Sequence, residues 1–307
     1  MLITEITDTD ALNILKDTSQ FDISVEDTIS EENLLKNIGK YDAIMVRTYT
    51  IITRDVIDAA KNLKLIVRAG VGLDNIDVRY AKEKGIEVRN TPKANYLSVA
   101  EHVIALMQSL LRNIPQADRY VREQKGWDRE KFLGEELNGK TLGLVGIGLI
   151  GSEVAKLAQA FGMKVIAYDP FVSEEDMRKE KVEKKEDLTD IARESDIVSV
   201  HVPLLDKTHH LVGKEFIAAM KDTAIIVNTS RGPVIDQDAL ISALEKKEIR
   251  GAALDVFDTE PPTDKRVLSL DNTVLTPHLG AMTKEADKRM CIHAAEAVID
   301  FFRKTNI

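Results

Sequence analysis

The chain has 307 residues, which is long for one hydrophobic core and suits two domains of ordinary size. Hydrophobic residues make up 44% of it and charged residues 30%, a balance typical of a folded globular protein and not of extended disorder. Its 42 Lys and Arg residues against 51 Asp and Glu residues give a net charge of −9, so it lacks the broad basic surface that nucleic-acid binding requires.

The first part of the chain predicts an α/β domain in which short apolar runs alternate with helical patterns. The predicted strands are residues 2–4, 43–46, 65–67 and 86–88. The helix-like stretches between them are residues 8–16, 54–61 and 78–84. Strands of this length separated by helices are typical of βαβ units around a parallel sheet.

A second alternating series follows a long helix that starts near Ser98 and that Pro115 ends or bends. Its predicted strands are residues 142–145, 164–168, 197–200, 224–227, 252–256 and 274–275. Six strands with intervening helices is the count of a complete dinucleotide-binding sheet. The charged run 173–187 is interpreted as a solvated surface loop or helix, and residues 284–303 as a closing amphipathic helix.

The composition also bears on the compartment. A single cysteine, Cys291, excludes an intramolecular disulfide and a cysteine-rich zinc cluster, which suits a reducing environment. The N-terminus shows no basic stretch followed by an apolar run, so no signal peptide is predicted. No apolar segment approaches the roughly 20 residues of a membrane helix. We therefore expect a cytoplasmic protein without a membrane or nucleic-acid partner.

A glycine motif marks the predicted cofactor site. Gly146, Gly148 and Gly151 follow the strand at 142–145 in the spacing G-x-G-x-x-G. The first glycine permits a tight turn, the second allows close approach of a pyrophosphate, and the third allows the helix to pack on the strand. Leu149 and Ile150 complete the motif, and the helix N-terminus adds N–H donors for the phosphates.

Asp169 follows the next predicted strand and lies 18 residues after Gly151. This is close to the spacing of roughly 20 residues expected for an acid that accepts hydrogen bonds from a ribose diol. A carboxylate there would repel the additional phosphate of NADP, so the sequence predicts NAD as the cofactor. A plain turn residue before Pro170 would give the same pattern, and only the glycine motif together with the acid favours cofactor binding.

Three polar segments follow the late strands, and they contain Arg231, Glu260 and His278. Because ligands bind at the carboxyl ends of parallel strands, one crevice can collect all three. A histidine suits proton transfer near neutral pH, a carboxylate orients it, and an arginine holds a substrate carboxylate. Each residue alone is more often structural, and the remaining histidines lack metal-ligand spacing, so no metal is predicted.

Seven segments carry a resemblance to a known family. They are VRAGVGLDNID (67–77), NYLSVAEH (95–102), LVGIGLIG (144–151), HVPL (201–204), NTSRG (228–232), ALDVFDTEPP (253–262) and TPHLG (276–280). With them the chain resembles the D-isomer-specific 2-hydroxyacid dehydrogenase family over nearly its whole length. In that family the arginine, glutamate and histidine of the last three segments are catalytic, which implies Arg231, Glu260 and His278 here.

The resemblance implies an α/β fold of two domains with parallel sheets. A discontinuous, flavodoxin-like substrate domain would comprise residues 1–95 and 283–307. A Rossmann NAD-binding domain would comprise residues 96–282. The substrate would lie in a cleft that closes between the domains, and the helix near Ser98 would contribute to a homodimer.

The resemblance also implies further site residues. Those expected to contact NAD, besides the glycine motif and Asp169, are Thr229, Ser230, Arg231, Asp255, His278 and Gly280. Segments 110–117 and 127–146 are most like family members that act on a phosphorylated 2-hydroxy acid. Its expected contacts are Arg47, Arg68 and Arg112 for the phosphate, the N–H groups of Val71 and Gly72 for the carboxylate, and Asn95, Arg231 and His278.

Two other functions remain open within the family. Some members reduce glyoxylate or hydroxypyruvate, and other relatives are NAD(H)-binding transcriptional corepressors. Tyr49 stands where some members specific for a phosphorylated substrate have a second basic residue, which weakens the substrate assignment modestly. Many relatives continue into a serine-binding regulatory domain, whereas this sequence ends at Ile307, so we expect no inhibition by serine of that type.

Overall fold

The computed structural model describes residues 1–5, 7–18 and 21–305 of the chain. They form two compact units, one comprising Met1–Asn95 with Ala281–Ile307 and the other comprising Tyr96–Gly280. The sequence placed the second boundary between residues 282 and 283, two residues later than the structure does. Each unit is an α/β structure around one parallel sheet, so the predicted fold class is confirmed.

The regular elements within the described residues are as follows. The strands are β1 (Leu2–Thr4), β2 (Ser24–Glu26), β3 (Ala43–Val46), β4 (Leu65–Arg68), β5 (Glu87–Asn90), β6 (Thr141–Val145), β7 (Lys164–Tyr168), β8 (Glu183–Lys184), β9 (Ile197–Val200), β10 (Ile225–Asn228), β11 (Gly251–Leu254) and β12 (Thr273–Leu275). The helices are α1 (Thr9–Asp17), α2 (Glu31–Asn37), α3 (Arg54–Ala59), α4 (Val78–Glu83), α5 (Tyr96–Leu111), α6 (Ile114–Arg122), α7 (Leu149–Ala160), α8 (Glu174–Lys179), α9 (Leu188–Glu194), α10 (Lys214–Ala218), α11 (Gln237–Glu245), α12 (Lys265–Leu268) and α13 (Lys284–Thr305).

The sheet of the first unit has the strand order β2-β1-β3-β4-β5, which is the flavodoxin-like order, and all its pairings are parallel. Its faces are covered by different helices because successive side chains of a strand point to opposite sides. Ala43 and Met45 of β3 pack in the cluster with α1 and α13. Ile44 and Val46 pack in the cluster with α2, α3 and α4. A sheet buried on both faces explains the unbroken apolar strands of the sequence.

The sheet of the second unit has the parallel order β12-β11-β10-β9-β6-β7-β8. The order reverses between β6 and β9, and such a switch point opens a crevice at the carboxyl ends of the strands. Ile225 and Val227 of β10 pack in the cluster that contains α5 and α7, whereas Ile226 packs with α11 on the other face. The core thus fixes β6, β9, β10 and β11 side by side, with the loops that follow them at one edge.

Three sequence predictions need correction. The edge strand β2 was missed because two of its three residues are exposed and give no apolar run. The charged run 173–187, expected to be a loop or helix, contains α8 but also the edge strand β8. Pro115 does not end the long helix, since α5 stops at Leu111 and Pro115 lies in the first turn of α6, where its missing N–H is not needed.

No helix among the described residues is both long enough and apolar enough to cross a membrane.

Candidate functional site

The turn between β6 and α7 has the geometry of a phosphate-binding turn. Gly146 has a φ of +93°, which favours glycine, and a Cβ there would lie 2.8 Å from Val202 Cγ1. A Cβ at Gly151 would lie 2.6 Å from the carbonyl oxygen of Gly146, so the third glycine allows helix and turn to touch. A Cβ at Gly148 would meet nothing within 4 Å, so the space above this glycine is open.

These residues fit a dinucleotide. Gly148 caps α7 without a side-chain hydrogen bond, so the first N–H groups of the helix, at Leu149 and Ile150, point toward the open space. The Asp169 carboxylate lies beside the turn, because it accepts hydrogen bonds from Ile147 N at 3.1 Å and Phe171 N at 2.9 Å. The helix N–H donors that the sequence assigned to a pyrophosphate therefore stand next to the acid that it assigned to a ribose.

The loop after β10 is shaped by Asn228, which is 1% exposed and which sequence reasoning missed. Its Oδ1 accepts from Ser230 N at 2.9 Å and Ser230 Oγ at 2.8 Å, and its Nδ2 donates to the Arg231 carbonyl at 2.9 Å. The Thr229 Oγ1 is buried and has no hydrogen-bond partner among the described residues. A buried hydroxyl without a partner indicates a place for a ligand atom, which fits the predicted cofactor contact.

His278 and Glu260 form a pair, as the sequence predicted. The His278 Nδ1 lies 2.8 Å from the Glu260 Oε2, and the other carboxylate oxygen accepts from Phe257 N at 3.2 Å. Burial opposes ionisation of Glu260, but the hydrogen bond and charge of His278, the Phe257 N–H and the nearby Arg231 guanidinium hold its pKa below the ordinary value. The carboxylate is therefore ionised near neutral pH and fixes the imidazole with its Nε2 directed away.

Arg231 belongs to the same cluster of charges. Its guanidinium acts on the Glu260 carboxylate electrostatically, and its Nη1 donates to the Ser230 carbonyl at 2.6 Å. The next residue, Gly232, packs so tightly on the chain after β11 that a Cβ would lie 2.0 Å from the Phe257 carbonyl carbon. This contact joins the loop of Arg231 to the loop of Glu260, so the structure brings the three predicted catalytic residues to one edge of the sheet.

Asp255 has a role that the sequence did not predict, since its buried carboxylate holds the turn that carries His278. Its Oδ1 accepts from Thr276 Oγ1 at 2.5 Å and from Leu279 N at 2.7 Å, and its Oδ2 accepts from Gly280 N at 2.9 Å. His278 itself has a φ of +55°, a conformation that a non-glycine residue keeps only when its surroundings enforce it. Asp255 and Gly280, both predicted to contact NAD, are thus hydrogen-bonded to each other.

His102 is the second residue that sequence reasoning missed, because the remaining histidines were assigned no partner. Its Nε2 lies 3.3 Å from the Asp255 Oδ1 and 3.2 Å from the Thr276 Oγ1. Burial opposes ionisation of Asp255, but these donors and the two N–H groups of the turn hold its pKa below the ordinary value. A histidine and an acid 153 residues apart give no signal in the sequence.

The predicted substrate residues of the first unit lie at or after the carboxyl ends of β3, β4 and β5. The Nε of Arg68 donates to the Arg47 carbonyl at 3.1 Å, so these two arginines are neighbours. The Val71 carbonyl accepts from Asn90 Nδ2 at 2.6 Å, which fixes the turn of Val71 and Gly72. Asn95 is 7% exposed, and its Oδ1 has no hydrogen-bond partner among the described residues.

Arg112 lies apart from the other predicted substrate residues of its unit. The Ser98 hydroxyl, at the first turn of α5, donates to the Gly280 carbonyl at 2.8 Å, two residues after His278. Arg112 follows the last residue of α5, and a rise of 1.5 Å per residue puts it about 20 Å further along the helix axis. Within one chain we therefore expect no contact of Arg112 with a substrate at His278.

A glycine turn for a pyrophosphate and an imidazole–carboxylate pair at the edge of one doubly wound sheet define the class of the nicotinamide-dinucleotide-dependent dehydrogenases. Residues 104–280 match the model of the D-isomer specific 2-hydroxyacid dehydrogenase NAD binding domain. The chain belongs to the D-isomer specific 2-hydroxyacid dehydrogenase family, as its sequence segments indicated.

The comparisons with known proteins include relatives of two activities. The chain is 47% identical over 298 residues to the D-3-phosphoglycerate dehydrogenase of Methanocaldococcus jannaschii, with 97% of this chain and 56% of that protein covered. It thus spans about half the length of that relative. It is 48% identical over 294 residues to the hydroxypyruvate reductase of Thermotoga maritima, with 95% of this chain and 94% of that protein covered.

A solved structure with ligands has the same fold. The D-lactate dehydrogenase of Aquifex aeolicus, crystallised with NAD and lactic acid, matches 99% of this chain and 95% of its own length. The TM-score is 0.88 and the sequence identity is 33%. The fold of this chain is therefore similar to that of a D-lactate dehydrogenase whose structure contains NAD and lactic acid.

Proposed function

We propose that the chain oxidises 3-phospho-D-glycerate to 3-phosphohydroxypyruvate with NAD, a reaction that begins serine biosynthesis. The observation that carries the dehydrogenase activity is the 2.8 Å pair of His278 and Glu260 beside the Arg231 loop. The phosphorylated substrate is supported by the neighbouring Arg47 and Arg68 and by the likeness to the Methanocaldococcus jannaschii protein.

Each catalytic residue has one task in this proposal. Glu260 holds the Nδ1 of His278, so the Nε2 accepts the proton of the substrate hydroxyl as general base. When bound, NAD would supply the acceptor for the hydride that leaves the carbon bearing the substrate hydroxyl. Arg231 binds the substrate carboxylate through its planar pair of N–H groups and orients that carbon. In the reverse direction His278 donates the proton as general acid.

The remaining predicted contacts divide between the two ends of the substrate. Arg47 and Arg68 would bind the phosphate, whereas the N–H groups of Val71 and Gly72 and the amide of Asn95 would bind the carboxylate end. Asp169 accounts for NAD as the cofactor, since a second anion at the ribose would meet its carboxylate. A homodimer and a cytoplasmic location belong to the same proposal.

A second candidate function is reduction of hydroxypyruvate. The Thermotoga maritima relative has this activity in its name and is covered over 94% of its length. In addition, Tyr49 is 86% exposed on the loop that carries Arg47, where a second cation would favour a phosphate. The two candidates share the chemistry at His278 and differ only in the recognition of the phosphate.

A substrate panel separates the two candidates. With NADH, kcat/KM for phosphohydroxypyruvate is expected to exceed that for hydroxypyruvate and glyoxylate by at least about tenfold, because a paired phosphate contributes more than 1.4 kcal/mol. Steady-state kinetics with the three substrates measure this ratio. A larger kcat/KM for hydroxypyruvate would replace the proposed function by the second candidate.

Substitution Arg47→Ala tests the phosphate contact. We expect the KM for phosphohydroxypyruvate to rise roughly 10- to 100-fold while the KM for hydroxypyruvate changes less than about twofold, because only one substrate carries the anion. Arg54→Ala is the matched control, since Arg54 lies in the same unit and pairs with Asp77 on the surface. Equal changes for both substrates would remove Arg47 from phosphate recognition.

A further inference from the structure

The carboxylate of Glu5 is buried beneath the loop that follows β3, and no catalytic role accounts for it. Glu5 directly follows β1 and is 8% exposed. Its two oxygens accept from the N–H groups of Arg47 at 3.1 Å, Thr48 at 3.0 Å, Tyr49 at 3.2 Å and Thr50 at 3.0 Å. One carboxylate thus accepts hydrogen bonds from four consecutive amides. We call the segment that carries them, residues 47–50, the 47–50 loop.

The backbone around Glu5 is also specialised. Glu5 has a φ of +72°, in the left-handed region that residues with a side chain rarely adopt. Its N–H donates to the Glu26 carbonyl at 2.9 Å, and the neighbouring Thr4 hydroxyl oxygen accepts from Thr50 Oγ1 at 2.8 Å. The unfavourable conformation is therefore held by contacts on both sides, and it aims the carboxylate at the loop.

The carbonyl groups of the same loop are held from another direction. Asn75 Nδ2 donates to the Arg47 carbonyl at 3.1 Å and to the Thr50 carbonyl at 2.7 Å, and Arg68 Nε donates to the Arg47 carbonyl at 3.1 Å. The guanidinium of Arg47 forms an ion pair with Asp287 of α13. The amides of the 47–50 loop, the carbonyls of Arg47 and Thr50, and the Arg47 side chain are therefore all held by contacts within the first unit.

From these contacts we infer that Glu5 is a positioning residue that presents Arg47 to the phosphate of the substrate. Four amides that point at one place form a nest that attracts an anion. Glu5 fills this nest with an anion of the protein itself, so the loop recognises a phosphate through the Arg47 side chain and not through its backbone. The inference rests on the proposed function, because it assumes a phosphorylated substrate.

The first test is Glu5→Gln, which keeps the size of the side chain but removes its charge and turns one acceptor into a donor. The KM for phosphohydroxypyruvate is expected to rise about tenfold, with kcat and the KM for hydroxypyruvate within about twofold of wild type. Asp196→Asn is the matched control, because Asp196 also accepts from a backbone N–H, that of Thr141 at 2.8 Å, and lies in the other unit. The control is expected to lower stability without changing either KM.

A double-mutant cycle with Arg47→Ala shows whether Glu5 acts through the arginine. In the Arg47→Ala background, Glu5→Gln is expected to change the KM for phosphohydroxypyruvate less than about twofold. An undiminished tenfold effect in that background would overturn the inference, and so would a Glu5→Gln variant that behaves like Asp196→Asn.

Hydrogen exchange of the wild-type protein covers the case in which Glu5→Gln does not fold. The four amides of the 47–50 loop are expected to exchange slowly, and exchange as fast as in an exposed loop would overturn the inference. The wild-type substrate panel alone decides the proposed function. A wild-type preference for phosphohydroxypyruvate combined with unchanged KM values in Glu5→Gln would overturn the inference and leave the proposed function standing.

Discussion

His278 has a left-handed backbone conformation, and its ring is fixed by the Glu260 carboxylate. His278→Gln keeps a polar side chain but cannot accept and return a proton near neutral pH. We expect kcat to fall roughly 10²- to 10⁴-fold while the affinity for NAD stays within about twofold. Steady-state kinetics and calorimetric titration with NAD measure both quantities. His209→Gln, at an exposed position, is the control, and an unchanged kcat in His278→Gln would end the assignment.

The buried carboxylate of Asp255 holds the turn that carries His278. Because the pKa of its carboxyl in the folded protein lies below the ordinary value of 3.8, the unfolded chain binds the proton more readily. Its contribution to stability is therefore complete above about pH 5 and is lost as the pH falls through 3.8 and below.

Asp255→Asn is expected to lower the free energy of unfolding at pH 7 by about 1–3 kcal/mol and to flatten its dependence on pH below 5. It should also lower kcat, because the turn of His278 loses acceptors for its N–H groups. Urea unfolding between pH 3 and pH 7 tests the first effect. A variant that loses stability on acidification as steeply as wild type would contradict the role given to Asp255.

At the scale of the elements, two glycines of the β6–α7 turn have different roles: Gly151 allows close packing, and Gly148 leaves space for a ligand. Gly151→Ala is expected to destabilise the protein by roughly 1–3 kcal/mol, because its Cβ meets the Gly146 carbonyl oxygen. Gly148→Ala should leave stability within about 0.5 kcal/mol, since its Cβ meets no protein atom, yet raise the KM for NAD by about tenfold or more. Thermal unfolding and NAD kinetics check both variants. Equal stability losses would show that the space above Gly148 is not open to a ligand.

The sequence predicted the central strands well because a strand that is buried on both faces consists largely of consecutive apolar residues. Examples are Ala43–Val46 and Ile197–Val200. The edge strands β2 and β8 were missed because none of their residues is buried, and all but Val25 are polar or charged. A strand that is held by backbone hydrogen bonds alone, without buried side chains, cannot be detected from the pattern of apolar residues.

The same reasoning explains what was found at the site. The glycine spacing and the order of Arg231, Glu260 and His278 are local or lie at strand ends, so a parallel sheet brings them together by its topology. The residues that hold the catalytic residues and the 47–50 loop in place, Asn228 excepted, are distant in the chain from the groups they hold. Glu5 lies 42 to 45 residues before its donors, and such a pairing exists only after the fold has formed.

At the scale of the whole molecule, the second unit exposes apolar side chains that a monomer would leave in water. They lie on α6 and the segment after it: Ile114, Val121, Trp127 and Leu133. Exposed apolar groups in such number favour association with another surface. This region is the part of the molecule that supports the proposed homodimer.

We expect Trp127→Glu combined with Leu133→Glu to convert the dimer into monomers, because two charges would have to be buried in the contact. Sedimentation velocity of the wild type and the variant measures the mass in solution. Leu205→Glu, at another exposed position, is expected to remain dimeric. A dimeric double variant, or a monomeric wild type, would place the association elsewhere or exclude it.

The first unit is built from both ends of the chain, and this has a consequence for synthesis on the ribosome. The second unit is continuous and can fold as soon as it emerges, whereas the sheet face at Ile3, Met45 and Val67 waits for Met290 and Ala294 of α13. Until α13 has left the ribosome, that face is covered only in part, by Ala11 and Leu15 of α1. A nascent chain that stops short of α13 therefore exposes an apolar surface to which a chaperone can bind.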